Sequence, residues 1–545
     1  IQYLNILTEF DFIVVGAGSA GCVMANRLSA CGRFNVLLLE AGGSDQRLWL
    51  KVPLGYGMSF YNPSVNWMYQ TEPDPQLNHR SAYWPRGKVL GGSSAINAMV
   101  FIRGQARDFD DWARLGNSGW SYQDVLPYFK KLENSPHGPS RSRGADGPLH
   151  VSDVSKQVHP LCEHFLKAGE ELGIQRNADI NGDSQEGVCI NQITTRNGFR
   201  ESASTAYLKP ALSRSNLKII THAHVSRVLF ENRKAVGIEY LQDGIKLSVR
   251  ASREVILSAG SINTPQILQL SGVGPGQVLQ KFNIPLVLES PAVGQNLQDH
   301  LCIDYIYRAK VPTLNKQLGS VWGQVWSGLQ YITKRQGPLS LSINQGGGFC
   351  KSTEQSEHPD LQLYFSPLSY LKATPGIRKL TAPDGFPGFL LSAQPCRPES
   401  RGSITVQSSD PQEAPKIWPN SLSTPADKAA LLLAAQWLRK LAATPSLGSI
   451  IDHEILPGPQ VQSIDQMMAD IYERASTVYH PVSTCRMGTH IEHAVVDSRL
   501  RAHGLLSLRI VDASVFPTLT SGNTNAPTLM LAEKAADMVL ADHQY

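Results

Sequence analysis

Residues 11–42, DFIVVGAGSAGCVMANRLSACGRFNVLLLEAG, read as a strand, a glycine turn, a helix and a second strand. The run Phe12-Ile13-Val14-Val15 is uniformly apolar, as a strand covered on both faces must be. Gly16, Gly18 and Gly21 follow it with GxGxxG spacing at the mouth of a helical pattern, the context in which that motif carries meaning. Such a turn lets backbone approach a pyrophosphate at the positive end of a helix dipole. Glu40 closes the second apolar run, nineteen residues beyond Gly21, where a carboxylate can accept hydrogen bonds from an adenosine ribose. The unit predicts dinucleotide binding and leaves NAD and FAD both open.

Working outward, 545 residues exceed one ordinary core and predict two to four domains, or two interleaved ones. Charged residues at 18% and hydrophobic residues at 42% describe a globular protein. A net charge of +4 with scattered Lys and Arg gives no basic surface for nucleic acid. Cys22, Cys31, Cys162, Cys189, Cys302, Cys350, Cys396 and Cys485 form no CxxC pair and no zinc-like spacing, so no metal is expected. Buried free thiols in a reducing, cytoplasmic compartment are the expected reading. No secretory leader is recognisable before the first strand, and no apolar run approaches the ~18 residues needed to span a bilayer.

The loop WPRGKVLGGSSAINAMVFIRG, residues 84–104, ends a long irregular stretch. Its Gly91, Gly92, Ser93 and Ser94 allow backbone to pass a flat ligand, and Asn97 offers a polar contact. Alternating patterns from His222 to Ala259 predict a small antiparallel excursion that returns to a buried strand at Glu254–Ser258. Gly260 then opens a second glycine-punctuated turn into a helix ending near Gly272. Residues 310–475 differ in texture, with strand candidates LQLYFSP and GSITVQ and an amphipathic helix from Pro425 to Leu441, and are expected to roof the ligand. The stretch 318–332, LGSVWGQVWSGLQYI, places Val321, Trp322, Val325, Trp326 and Leu329 at helical spacing. Packing of that helix on its own domain is the expectation; contact with a membrane or gating of substrate entry is the second reading.

Reactive groups concentrate in the last seventy residues. His480 stands between Tyr479 and Pro481, and Asn523 stands four residues before Pro527, which falls in the first turn of a helix over Thr528–Leu540. The N-terminal pole of that helix would stabilise negative charge on the pyrimidine end of a flavin. Histidine is the side chain best matched to taking a hydroxyl proton at neutral pH, and Asn523 could hold the oxygen beside it. On the residues alone, His480 fits a catalytic base and a satisfied structural histidine equally well.

Five segments in order, GAGSAG, GKVLGGSSAINAMVFIRG, GSINTPQILQLSGVG, YHPVSTCRMG and SGNTNAPTLM, resemble the glucose-methanol-choline oxidoreductases over nearly the whole chain. The resemblance implies an α/β fold (α+β overall): an interrupted Rossmann-like FAD-binding domain with a second domain of antiparallel sheet flanked by helices. The implied FAD-binding parts are residues 1–155, 205–310 and 476–545, and the substrate-domain parts are 156–204 and 311–475. By the same resemblance Gly16, Gly18, Gly21 and Glu40 bind the ADP half, while Gly91, Asn97, Ala98 and Met99 lie along the flavin. Val225 meets the adenine through its backbone, Asp512 and Ala513 the pyrophosphate or ribityl region, and Asn525 and Pro527 the pyrimidine. His480 becomes the base, with Asn523 where other members place a second histidine and His300 the alternative base. Ile96 holds the position from which some members bond FAD covalently through histidine, so non-covalent FAD is expected.

Within the family the loops look closest to choline-dehydrogenase-like enzymes and aliphatic alcohol dehydrogenases. That implies oxidation of a primary alcohol to an aldehyde, with electrons passed to a quinone or another carrier and a cytoplasmic protein, peripheral on the inner membrane in the second reading. An oxygen-using oxidase and a non-redox lyase of the same fold are the alternatives.

Overall fold

The computed structural model describes residues 9–370 and 383–544. Strand Glu9–Val15, helix Ser19–Ser29 and strand Val36–Leu39 form the βαβ unit, with Phe12 to Val15 paired in parallel with Val36 to Leu39. Leu217–Ile220 extends the parallel set beyond Val36–Leu39. On the other side lies Ile245–Leu257, one strand of thirteen residues with two partners at its two ends. Its first half closes an antiparallel meander with His224–Glu231 and Lys234–Gln242. Its second half runs parallel to Glu9–Val15 and, on its far edge, to Leu508–Ile510. The buried strand expected at Glu254–Ser258 is thus the end of this longer strand, which passes from one pairing to the other without a turn.

The parallel strands are apolar throughout because helices cover both faces. The last helix, Asn525–Asp542, is buried nearly all round, including Glu533 and Lys534. Glu533 pairs with Arg27 of the opening helix, and the Lys534 ammonium lies 4.9 Å from the centre of the Tyr128 ring.

A second sheet is antiparallel throughout, in the order Ile451–Leu456, Leu301–Ala309, Gly388–Pro395, Leu361–Ser366, Gly346–Cys350, Gly187–Ile190. Its strands alternate sides with the period of two that a pleat imposes. Leu363, Phe365 and Leu391 enter the core beneath helix Pro425–Ala442, while Tyr364, Leu390 and Ser392 face a large cavity. That helix begins as its sequence predicts, with the Thr424 hydroxyl accepting the Asp427 N–H and Pro425 at its first position. The fold is thus a mixed parallel sheet and an antiparallel sheet enclosing one cavity.

Helix Val321–Lys334 forms where expected, but its apolar stripe does not pack on the domain. Ser327 and Tyr331 are its buried residues. Gln317 donates to the Ser327 hydroxyl at 3.0 Å, and the Tyr331 hydroxyl donates to the Gly198 carbonyl at 3.0 Å. These polar contacts hold down the opposite face, so Val321, Trp322, Val325, Trp326, Leu329 and Ile332 point outward.

Candidate active site

A cavity of about 320 Å³ lies between the two sheets, walled by residues from both. Helices Ser19–Ser29, Gly260–Leu270 and Asn525–Asp542 all direct their N-termini at it, since Ser19, Gly260 and Asn525 are on its wall. Each brings the partial positive charge of a helix N-terminus.

Glycines keep one end of this space open. At Gly16 φ is +94°, and a Cβ would stand 2.6 Å from the Ser258 carbonyl oxygen. At Gly92 φ is +52°, and a Cβ would stand 2.6 Å from the Gly18 Cα, so the second glycine loop packs directly on the first. At Gly18 a Cβ would meet only the Ser258 carbonyl oxygen, at 4.0 Å, and the residue presents bare backbone on the cavity wall. A cradle of this kind, beside a helix N-terminus, suits the diphosphate of FAD.

Of the residues anticipated as cofactor contacts, Gly16, Gly18, Glu40, Asn97, Ala98, Met99, Val225, Asp512, Ala513 and Asn525 are on the wall. Gly21, Gly91 and Pro527 are not among the lining residues. The Gly21 Cα packs against the Gly16 carbonyl, so closely that a Cβ would come within 1.8 Å of the oxygen. Gly91 donates its N–H to the Ala17 carbonyl at 2.8 Å, tying the two glycine loops together. Pro527 is buried within the first turn of the last helix. These three shape the site from behind.

Glu40 accepts the Ala17 N–H at 2.9 Å and the Gly42 N–H at 2.8 Å; burial pushes its carboxyl up to about 7. Asp512 accepts from the Gly260 N–H, the Thr264 hydroxyl and the Ser514 N–H, and so pins the second glycine turn. Asn97 spends its Oδ1 on the Met99 N–H at 3.0 Å and the Arg200 guanidinium at 2.8 Å. That brace holds Met99 at φ +63°, a conformation unusual for a side chain of its size.

At the far end are the reactive side chains. His480 is brought to His300 by a short strand pairing, Leu301 with Thr477 and Cys302 with Ser476. Asp299 accepts the His480 backbone N–H at 2.7 Å and the Thr477 hydroxyl, while burial pushes its carboxyl up to about 7. Arg86 donates to the Tyr479 carbonyl at 3.0 Å, fixing the turn from the other side. Asn523 follows Gly522, whose φ of +115° and closeness to Ile102 exclude any side chain. Ser521 is anchored in turn by two hydrogen bonds to Asp108.

Two hydrogen-bond chains converge on His480. His300 Nε2 stands 2.9 Å from the Cys396 carbonyl, which only accepts, so that nitrogen carries the proton. His300 Nδ1 is then an acceptor, and His480 Nδ1, 3.0 Å away, must donate to it. His480 Nε2 is left with a lone pair, 3.1 Å from the Asn523 amide nitrogen. The second chain starts on paired strands of the antiparallel sheet: Gln394 donates to Gln362 at 3.0 Å, and Gln362 to Asn523 Oδ1 at 3.3 Å. That orients the Asn523 amide with its donor toward His480. Burial, with His300 and the Arg86 guanidinium adding to it, holds the His480 ring well below the ordinary imidazole range. Burial also pushes His300 down to about 4.

Among the described residues no group of His, Cys, Asp and Glu is arranged to hold a metal ion, and no helix is long and apolar enough to cross a membrane.

Two family profiles, both described as GMC oxidoreductase, match residues 10–302 and 398–532. The chain is 45% identical over 538 residues to the alcohol dehydrogenase (acceptor) of Pseudomonas putida, covering 97% of this chain and 96% of that protein. It is 42% identical over 540 residues to the mitochondrial choline dehydrogenase of Homo sapiens, covering 97% and 90% of the two. Among solved structures, pyridoxine 4-oxidase from Mesorbium loti superposes with a TM-score of 0.89 at 29% identity, over 98% of this chain and 100% of that one.

Proposed function

This chain belongs to the GMC oxidoreductases, FAD-dependent enzymes acting on CH–OH donors, and we propose that it oxidises a primary alcohol to the aldehyde with His480 as the base. The observation that carries this reading is that His480, on the cavity wall, keeps Nε2 in its acceptor form, taking the Asn523 amide N–H in a bond that a substrate hydroxyl can replace. An alcohol whose oxygen replaces that bond donates its proton to Nε2 and accepts a hydrogen bond from Asn523. The amide holds the oxygen in place as negative charge develops on it, and His300, through Nδ1, holds the ring in the tautomer that can receive the proton. FAD supplies the acceptor for the hydride that leaves the carbon. The glycine cradle would hold its diphosphate, and Asn525, at the head of the last helix and accepting the Ser19 hydroxyl at 2.7 Å, would meet it from the cavity wall.

FAD is held without a covalent bond in this reading. Ile96 is on the cavity wall, and its hydrocarbon side chain has no nucleophile. Acid precipitation should leave a yellow supernatant and a colourless pellet; flavin retained in the pellet overturns this assignment. Electrons then pass to a quinone or a similar carrier, in keeping with the acceptor-dependent relative.

The reaction is tested by adding alcohols to the flavin-loaded protein under anaerobic conditions. A primary alcohol should bleach the flavin absorbance, with the aldehyde recovered in equal amount. Failure of choline, short and long aliphatic, and aromatic alcohols alike to bleach it overturns the reading.

A further inference from the structure

Helix Val321–Lys334 turns outward a stripe that a globular protein ordinarily buries. Trp322 is 84% exposed, Val321 75%, Ile332 69%, Val325 58% and Trp326 57%. These residues recur with the spacing of a single helix face. A second exposed apolar cluster, Leu48, Trp49 and Met58, lies in the segment 48–59. The two clusters belong to one region, because the turn Pro53–Gly55 packs on the turn Pro338–Ser340, which also meets the helix. The same two segments then run into the cavity wall, contributing Tyr56 and Phe60 from one and Ile343 and Asn344 from the other.

Charge separates the candidate partners. From Tyr305 to Thr353 the chain has no Asp or Glu, yet carries Arg308, Lys310, Lys316, Lys334, Arg335 and Lys351. An amphipathic helix with tryptophans on its apolar face, set in a segment whose charges are all positive, matches the chemistry of an anionic bilayer surface. Indole rings are at home at that boundary, where one part is wet and the rest apolar. No helix among the described residues can span the bilayer, so the contact is in its plane.

We propose that helix Val321–Lys334 docks this protein on an anionic lipid surface, with Trp322 and Trp326 inserted among the headgroups and the adjoining cavity wall turned toward the lipid. The docking itself does not depend on which alcohol the cavity oxidises.

The test uses the whole flavin-loaded chain and vesicles of phosphatidylcholine with or without phosphatidylglycerol. Wild type should co-sediment with the anionic vesicles, and its tryptophan emission should shift to the blue as it binds. Trp322→Ser with Trp326→Ser should weaken binding by about tenfold or more. Lys316→Glu with Lys334→Glu should weaken it by at least about tenfold, since each cation near an anionic surface is worth roughly fivefold. Both variants should keep their flavin and their rate on a water-soluble alcohol, which separates failure of docking from failure of the reaction. The proposal is overturned if wild type ignores both vesicle types, or if the tryptophan variant binds as well as wild type. It is also overturned if the wild-type chain is a dimer that the tryptophan variant dissolves, because a second copy then covers this face.

Discussion

At the residue scale the site is governed by what each nitrogen of His480 touches. Nδ1 donates to His300, and Nε2 accepts from the Asn523 amide, a bond that a substrate hydroxyl can replace. Removing the ring should therefore slow flavin reduction by roughly 10²–10⁴-fold, while FAD, held by the glycine loops, stays bound in His480→Ala. A flavin-loaded variant reducing at the wild-type rate would move the base elsewhere, with His300 next to be examined. The lowered pKa of His480 fixes the sign of the pH dependence. A depressed pKa means the neutral, proton-accepting ring persists below the ordinary imidazole range, so the rate should stay level as pH falls through ~6.5. A decline centred there would show a ring that titrates as in water. Asn523→Ala should lower the reduction rate without altering that profile, since an amide does not titrate. His480, beside Pro481, and Asn523, four residues before Pro527, were legible as candidates because such residue types next to turns and helix starts suggest reactive positions. Gln362 and Gln394 were not, because glutamines on a strand give no signal until pairing sets them side by side.

At the scale of elements, the opening unit forms the strand, turn, helix and strand that its sequence predicts. Gly21 itself packs the helix onto the Gly16 turn and is not among the residues lining the cavity. A methyl group there collides with backbone, which cannot yield as a side chain end would. Gly21→Ala should accordingly lower FAD content and thermal stability together, measured as the flavin-to-protein absorbance ratio and the melting midpoint. Retention of full flavin occupancy would mean the turn relaxes. Helix Val321–Lys334 shows where pattern reading stops. A period of 3.6 reports that one face is apolar, and it is the same whether that face meets a core or something outside the chain. What decided the matter was a pair of polar anchors, Ser327 and Tyr331, whose partners Gln317 and Gly198 no local window contains together.

At the scale of the whole molecule, the cavity is built from chain segments hundreds of residues apart. Gly16 near the start, Gly92, Tyr364 and His480 share one wall. Sequence motifs identified the contributors from the mixed sheet, where glycine turns mark ligand-facing backbone. Of the antiparallel sheet the strand Leu361–Ser366 was legible, but the strand order was not, since it is set by long-range pairing, as where Gly187–Ile190 joins Gly346–Cys350. The acceptor is a property at this scale too, because it depends on what reaches the ring end of the cavity and from which side. A quinone-like carrier and molecular oxygen are the two acceptors to be told apart. No residue identified on the cavity wall bars oxygen, so the two must be separated by rate. With one good primary alcohol, turnover measured with a quinone-like dye should far exceed turnover in air. Hydrogen peroxide formed in proportion to aldehyde, at a rate matching the dye, would instead make the protein an oxidase.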